Sequence, residues 1–154
     1  MLDRRLVALG WLLAPVSAFA APCKAPRILF VCPAGSVKSA IAREELKKIA
    51  KSQGIRVHAE SRGINPENHV SPSLAQRLEM DGIDPQAEPL RRFTPEDTKQ
   101  ADIVVAFDQA ADAPGLEAAR RWQVASWNSQ YDDAKSDTLK NVRQLLYEIK
   151  QRQC

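Results

Sequence analysis

The stretch Cys32-Pro-Ala-Gly-Ser-Val-Lys38-Ser39 brings a thiol, a short loop, a cation and a hydroxyl together. The apolar run Arg27-Ile-Leu-Phe-Val-Cys32 precedes it without alternation, as in a strand buried on both faces. Beyond it, Ala42, Leu46, Ile49 and Ala50 recur at helical spacing, and Gly54 supplies a stop. A strand, a loop and a helix start in this order turn backbone N–H groups and a positive helix end toward one point. Pro33, Ala34, Gly35, Ser36, Val37 and Lys38 are therefore expected to bind an anion. The same field favours a thiolate at Cys32, Lys38 adds positive charge, and the Ser39 hydroxyl can donate to the sulfur. A thiolate beside an anion site is equipped for nucleophilic attack on an oxyanion. The rival reading, Cys32 as a small apolar residue ending a core strand, is outweighed by the loop that follows.

Such a loop works only if a sheet and helices hold it. Ile55 to Glu60 reads as a second, more polar strand. Ser71-Pro72 caps and opens a helix through Met80 that ends at Gly82. Thr94-Pro95-Glu96-Asp97 repeats the device for a short helix. Ile103 to Phe107 reads as a third buried strand and Gln123 to Ser126 as a fourth. Asp137 is expected to cap a last helix carrying Leu139, Val142, Leu146 and Ile149 on one stripe. Strands alternating with helices predict a single α/β domain built on a parallel sheet. Ligands in such sheets bind beyond the carboxyl ends of the strands, where the Cys32 loop falls.

The chain resembles the low-molecular-weight protein tyrosine phosphatases and their arsenate-reductase relatives. Their pattern is a strand ending in Cys, then x-Gly-Asn-x-x-Arg-Ser at a helix start. The likeness extends from about Arg27 to Lys150. It takes in Ser61-Arg62-Gly63-Ile64 after the second strand, Gly82-Ile83-Asp84, Phe93-Thr94-Pro95-Glu96-Asp97, and Ala101-Asp102 through Phe107-Asp108. The resemblance implies a three-layer sandwich, a four-stranded parallel sheet with helices on both faces. It also implies hydrolysis of phosphate monoesters through a phosphocysteine on Cys32, with no cofactor.

The departures lie in the loop. Lys38 stands in place of the Arg, Gly35 in place of the Asn and Ala34 in place of the Gly, while Cys32 and Ser39 match. An Arg holds phosphate through a planar fork, whereas a Lys offers one point charge on a flexible stem. Reduced activity is expected. The family's Asp-Pro general acid is absent, and Asp132 or Asp133 is the candidate in its place, with Tyr131 as an aromatic wall. Trp122 and Trp127 read as packing residues. The alternative is a catalytically inactive relative that binds an oxyanion or a phosphorylated partner. Arsenate reduction is less favoured, because it needs further thiols and only Cys23 and Cys154 remain.

Composition narrows the partners. The 154 residues carry 22 Lys+Arg against 19 Asp+Glu, a net charge of +3 too small for a nucleic-acid footprint. The expected partner is a phosphate-bearing small molecule or a phosphorylated protein. His58 and His69 are too few and unpartnered for a metal site. Arg4 and Arg5, the apolar stretch Leu6 to Ala20 and the small residues Ala18 and Ala20 form a secretory signal over 1–20. The apolar stretch is shorter than the roughly 20 residues that span a bilayer. Cleavage would leave a domain over 21–154 outside the cytoplasm, in a periplasm, with no stable membrane association. In an oxidising compartment the three cysteines predict one disulfide and one free thiol. Cys23 and Cys154 fall at the same edge of a parallel sheet and are expected to pair. Cys32 lies at the opposite end of the first strand, up to roughly 30 Å away.

Overall fold

The computed structural model describes residues 24–152. The signal expected over 1–20 and the pairing expected between Cys23 and Cys154 fall outside the described residues.

The elements follow as β1 (Arg27–Cys32), α1 (Lys38–Ser52), β2 (His58–Gly63), α2 (Pro72–Met80), α3 (Pro95–Lys99), β3 (Ile103–Phe107), a 3-10 segment (Asp108–Asp112), β4 (Arg120–Trp122) and α4 (Tyr131–Arg152). The four strands lie in the order β2-β1-β3-β4, all parallel. Register aligns Cys32 with Gly63, Val31 with Ala106 and Phe107 with Trp122. All four carboxyl ends therefore form one edge, with the Cys32 loop near its middle.

β1 is central, which explains its unbroken apolar run. Ile28, Phe30 and Cys32 enter a core shared with Leu46 of α1, Leu74 and Leu78 of α2, and Val142, Leu145, Leu146 and Ile149 of α4. Leu29 and Val31 face the other way, onto Phe93, Ala110, Ala111 and Leu116. Each Leu, Ile, Val or Phe among them, fully buried, contributes on the order of 1.5–3 kcal/mol. Phe30, Phe107 and Trp122 stack mutually with centroids 5.6–6.3 Å apart, tying β1 to β3 and β4. Trp122 and Trp127 both pack into this core, as expected from the sequence.

Three boundaries differ from expectation. Ile55 and Val57 pack against the core from the turn after α1, where Ile55 N–H closes onto the Ala50 carbonyl, so β2 begins only at His58. β4 is Arg120–Trp122, and the apolar Val124 and Ala125 come after it, once the chain has left the sheet. The last helix starts at Tyr131, not near Asp137, whose carboxylate instead accepts the Ala125 N–H at 3.0 Å.

Candidate active site

Cys32 ends β1 and is 3% exposed. The Gly35 N–H donates to its Sγ at 3.1 Å, and the Ser39 Oγ lies 3.0 Å from the same sulfur. The loop's outer side is fastened to the chain that follows β2. Ile64, Asn65 and Glu67 N–H groups donate to the carbonyls of Cys32, Pro33 and Ala34 at 3.1, 2.9 and 3.0 Å. In a trans peptide the carbonyl and the next N–H point oppositely. Holding these carbonyls outward therefore turns the Ala34 and Gly35 amides to the loop's inner side, where the Gly35 N–H meets the sulfur. The Ser36 Oγ accepts the His69 N–H at 2.9 Å and secures the far end.

Two glycines make this curl possible. Gly35 has φ +76, and a Cβ there would stand 2.7 Å from the Gly63 nitrogen. A Cβ on Gly63 would meet the Ala34 carbonyl oxygen at 2.6 Å. Loop and strand end touch backbone to backbone.

α1 opens at Val37 with no side-chain cap and no acid in its first turn. The amides of its first turn have no intrahelical acceptor, and the helix end is positive. This is where an oxyanion gains most. Lys38 is occupied, however. Its Nζ donates to the Asp108 carboxylate at 2.7 Å and to the Val124 carbonyl at 2.5 Å.

Behind the loop, Arg43 of α1 is 2% exposed. It donates to the Ser61 Oγ of β2 at 2.6 Å and the Pro85 carbonyl at 3.1 Å, and its Nε lies 2.8 Å from both Glu44 and Glu88. The guanidinium thus locks α1, β2 and the 85–88 segment into one frame behind Ser39.

Asp132 and Asp133 occupy the exposed first turn of α4, and the Asp132 carboxylate lies 3.3 Å from Arg77. Cys32, Ser39 and the loop come together; these two acids do not contact them. Tyr131 is not a wall to the site. It is buried between α2 and α4, edge-on to Trp127 at 5.2 Å, with the Arg77 guanidinium 3.8 Å over its ring. Its hydroxyl donates to Asp81 at 2.5 Å, and Lys135 reaches the same carboxylate at 2.9 Å. These bonds hold the Asp81 carboxyl below the usual aspartate range, while burial and then the Asp81 contact push the Tyr131 phenol up.

The residues that sequence reasoning did not single out are Asp108 and Arg43. Asp108 had a legible signal, an acid directly after a buried strand at the ligand-binding edge. Arg43 had none, since its partners lie on three separate segments.

Comparison with known proteins bears on the fold and the family. The family model of the low molecular weight phosphotyrosine protein phosphatases matches residues 27–147. YfkJ from Bacillus subtilis superposes with a TM-score of 0.69 at 18% identity, over 86% of this chain and 100% of that one. The YwlE arginine phosphatase of the same organism, in a mutant with a phosphorylated active-site serine, gives 0.66 at 20% identity, over 82% and 97%. A thioredoxin-dependent arsenate reductase from Corynebacterium glutamicum gives 0.66 at 22% identity, over 87% of this chain and 65% of that one. No curated protein matches the sequence significantly. The structural likenesses carry the fold alone, and the family match spans most of the chain: it belongs to the low molecular weight phosphotyrosine protein phosphatase family.

Proposed function

We propose that this chain hydrolyses phosphate monoesters through Cys32, at a rate reduced by the lysine at position 38, and that it does so as a secreted, periplasmic protein once residues 1–20 are removed. The observation that carries the reading is the convergence of the Gly35 N–H and the Ser39 hydroxyl on the Cys32 sulfur, beside an uncapped helix start. The Gly35 N–H donates to the sulfur, and the Ser39 hydroxyl, 3.0 Å away, is placed to donate to it during the reaction. The thiolate attacks phosphorus in line, the P–O bond to the leaving group breaks, and a phosphocysteine forms. Loop amides take the charge on the equatorial oxygens. Asp132 or Asp133 supplies the leaving group's proton, for which Asp132 must first part from Arg77. Water then attacks the phosphocysteine, releasing phosphate, and the Ser39 hydroxyl stabilises the departing sulfur. The substrate is a phosphate-bearing small molecule or a phosphorylated protein.

A second reading, an inactive relative that binds an oxyanion or a phosphorylated partner, has one observation in its favour. Two donors of the Lys38 ammonium are committed to Asp108 and Val124 rather than held free for a phosphoryl group.

The deciding experiment follows turnover of an activated aryl phosphate by wild type, Cys32→Ser and Lys38→Arg. Wild type is expected to exceed the Cys32→Ser blank, and Lys38→Arg to gain on the order of tenfold by restoring a planar fork. If wild type equals the blank, the binding-protein reading replaces the enzyme.

A further inference from the structure

Lys38 begins α1 beside the loop, yet its ammonium is drawn along the carboxyl edge of the sheet toward the neighbouring strands. Asp108 follows β3 directly, and Val124 lies just beyond β4. The pair is largely enclosed, with side chains 20% and 30% exposed. Asp108 is also the single non-glycine residue among the described residues with a positive φ, +54. Aspartate and asparagine tolerate that backbone better than other side chains do.

The consequence is electrostatic. An ammonium has three donors, and two are in use. With a carboxylate at 2.7 Å, the net charge that Lys38 presents to the loop is largely cancelled. An incoming oxyanion meets the amides and the helix end at once, but it gains the full ammonium only by competing with Asp108.

We propose that Asp108 is a positioning residue that holds Lys38 on the flank of the loop, so that a bound oxyanion gains the full charge of the ammonium only as Asp108 releases it. This rests on the oxyanion-binding reading given above. Asp108 touches no reacting atom, and its effect passes through Lys38.

The test is calorimetric titration of inorganic phosphate into wild type, Asp108→Asn, Lys38→Gln and the double variant. Asparagine keeps the left-handed backbone, and Asp108→Gly, which is free to adopt it, serves as a second variant should the first fold poorly. Asp108→Asn is expected to bind phosphate about fivefold more tightly, the scale of one partly exposed charge pair. In the Lys38→Gln background the same change is expected to give less than twofold. A change under twofold in the first background, or weaker binding, overturns the proposal. So does an equal gain in both backgrounds, since Asp108 then acts as a plain repulsive charge. Absence of phosphate binding in all four proteins fails the oxyanion reading itself and the inference with it. That pattern is distinct from binding that ignores Asp108.

Discussion

Replacing Gly63 by Ala tests whether backbone contact with the end of β2 sets the position of the loop. The added Cβ falls 2.6 Å from the Ala34 carbonyl oxygen, 2.7 Å from its carbon and 2.8 Å from the Gly35 nitrogen. All three are backbone atoms, so no side chain can turn aside. The loop is also fastened where it would have to yield, through Asn65 N–H to Pro33 at 2.9 Å and Glu67 N–H to Ala34 at 3.0 Å. Restoring ordinary contact requires a shift of roughly 0.8 Å, and overpacking of this kind costs about 1–3 kcal/mol. The shift also disturbs the Gly35 N–H on Sγ, already at 3.1 Å, adding about 1 kcal/mol. Gly63→Ala is therefore expected to lose about 2–4 kcal/mol in urea unfolding. Its turnover should fall on the order of 10²-fold, since a displacement near 1 Å misaligns the nucleophile. Gly54→Ala is the control. It also changes a glycine, with φ +68, but nothing lies within 4 Å of the added Cβ. That variant should lose only the left-handed penalty of about 1–2 kcal/mol and keep its turnover. Gly63→Ala within 0.5 kcal/mol of wild type, with unaltered phosphate binding, would refute backbone contact as the determinant.

Three other outcomes are expected. Thr138→Val should stabilise by about 1 kcal/mol in urea unfolding, because the buried Oγ1 has no hydrogen-bond partner among the described residues; a loss of stability would mean the hydroxyl is satisfied. Burial holds the Glu45 carboxyl above the usual glutamate range, against the opposing pull of Lys48 and Lys135. Its charge then destabilises the fold fully above the folded-state pKa and not at all below the unfolded one, so Glu45→Gln should be more stable than wild type at pH 8 and equal to it near pH 3. An equal gain at both ends would dismiss titration as the cause. Non-reducing peptide mapping of protein expressed into a periplasm should find Cys23 joined to Cys154 with Cys32 alkylatable, a closure contributing up to about 5 kcal/mol. A bridge to Cys32, or three free thiols, would remove that pairing.

The sequence was most legible where one element meets its demands locally. β1 declared itself because burial on both faces leaves no polar position from Ile28 to Cys32. α2 did so because Ser71 accepts the Leu74 N–H from its own first turn and Pro72 opens the helix. It was least legible where a residue serves a distant segment. Asp137 has the chemistry of a helix cap, but its acceptor is used by Ala125, twelve positions upstream. Val124 has the apolarity of a strand, but its carbonyl is taken by Lys38. Ile55 and Val57 have strand character, but pairing begins only where His58 N–H finds the Pro26 carbonyl. In the site, the Cys32, Gly35 and Ser39 cluster was readable because seven positions hold it. The tie from Lys38 to Asp108 spans seventy, so although an acid directly after a buried strand marks Asp108, nothing local names its partner.

That division has a functional consequence. The contacts that shape the loop come from Gly35, Gly63, Ile64, Asn65, Glu67 and His69, and none of them involves the side chain of residue 38. The contacts of that side chain lie off the loop, on Asp108 and Val124. Shape and charge are thus set by separate residues. A lysine can stand where the family pattern has an arginine without undoing the loop's shape, and under the proposed function its effect falls on how strongly an oxyanion is held and turned over. Exchanges at position 38 should accordingly move rate and phosphate affinity while changing the free energy of urea unfolding by no more than the ~1 kcal/mol worth of one partly exposed ion pair.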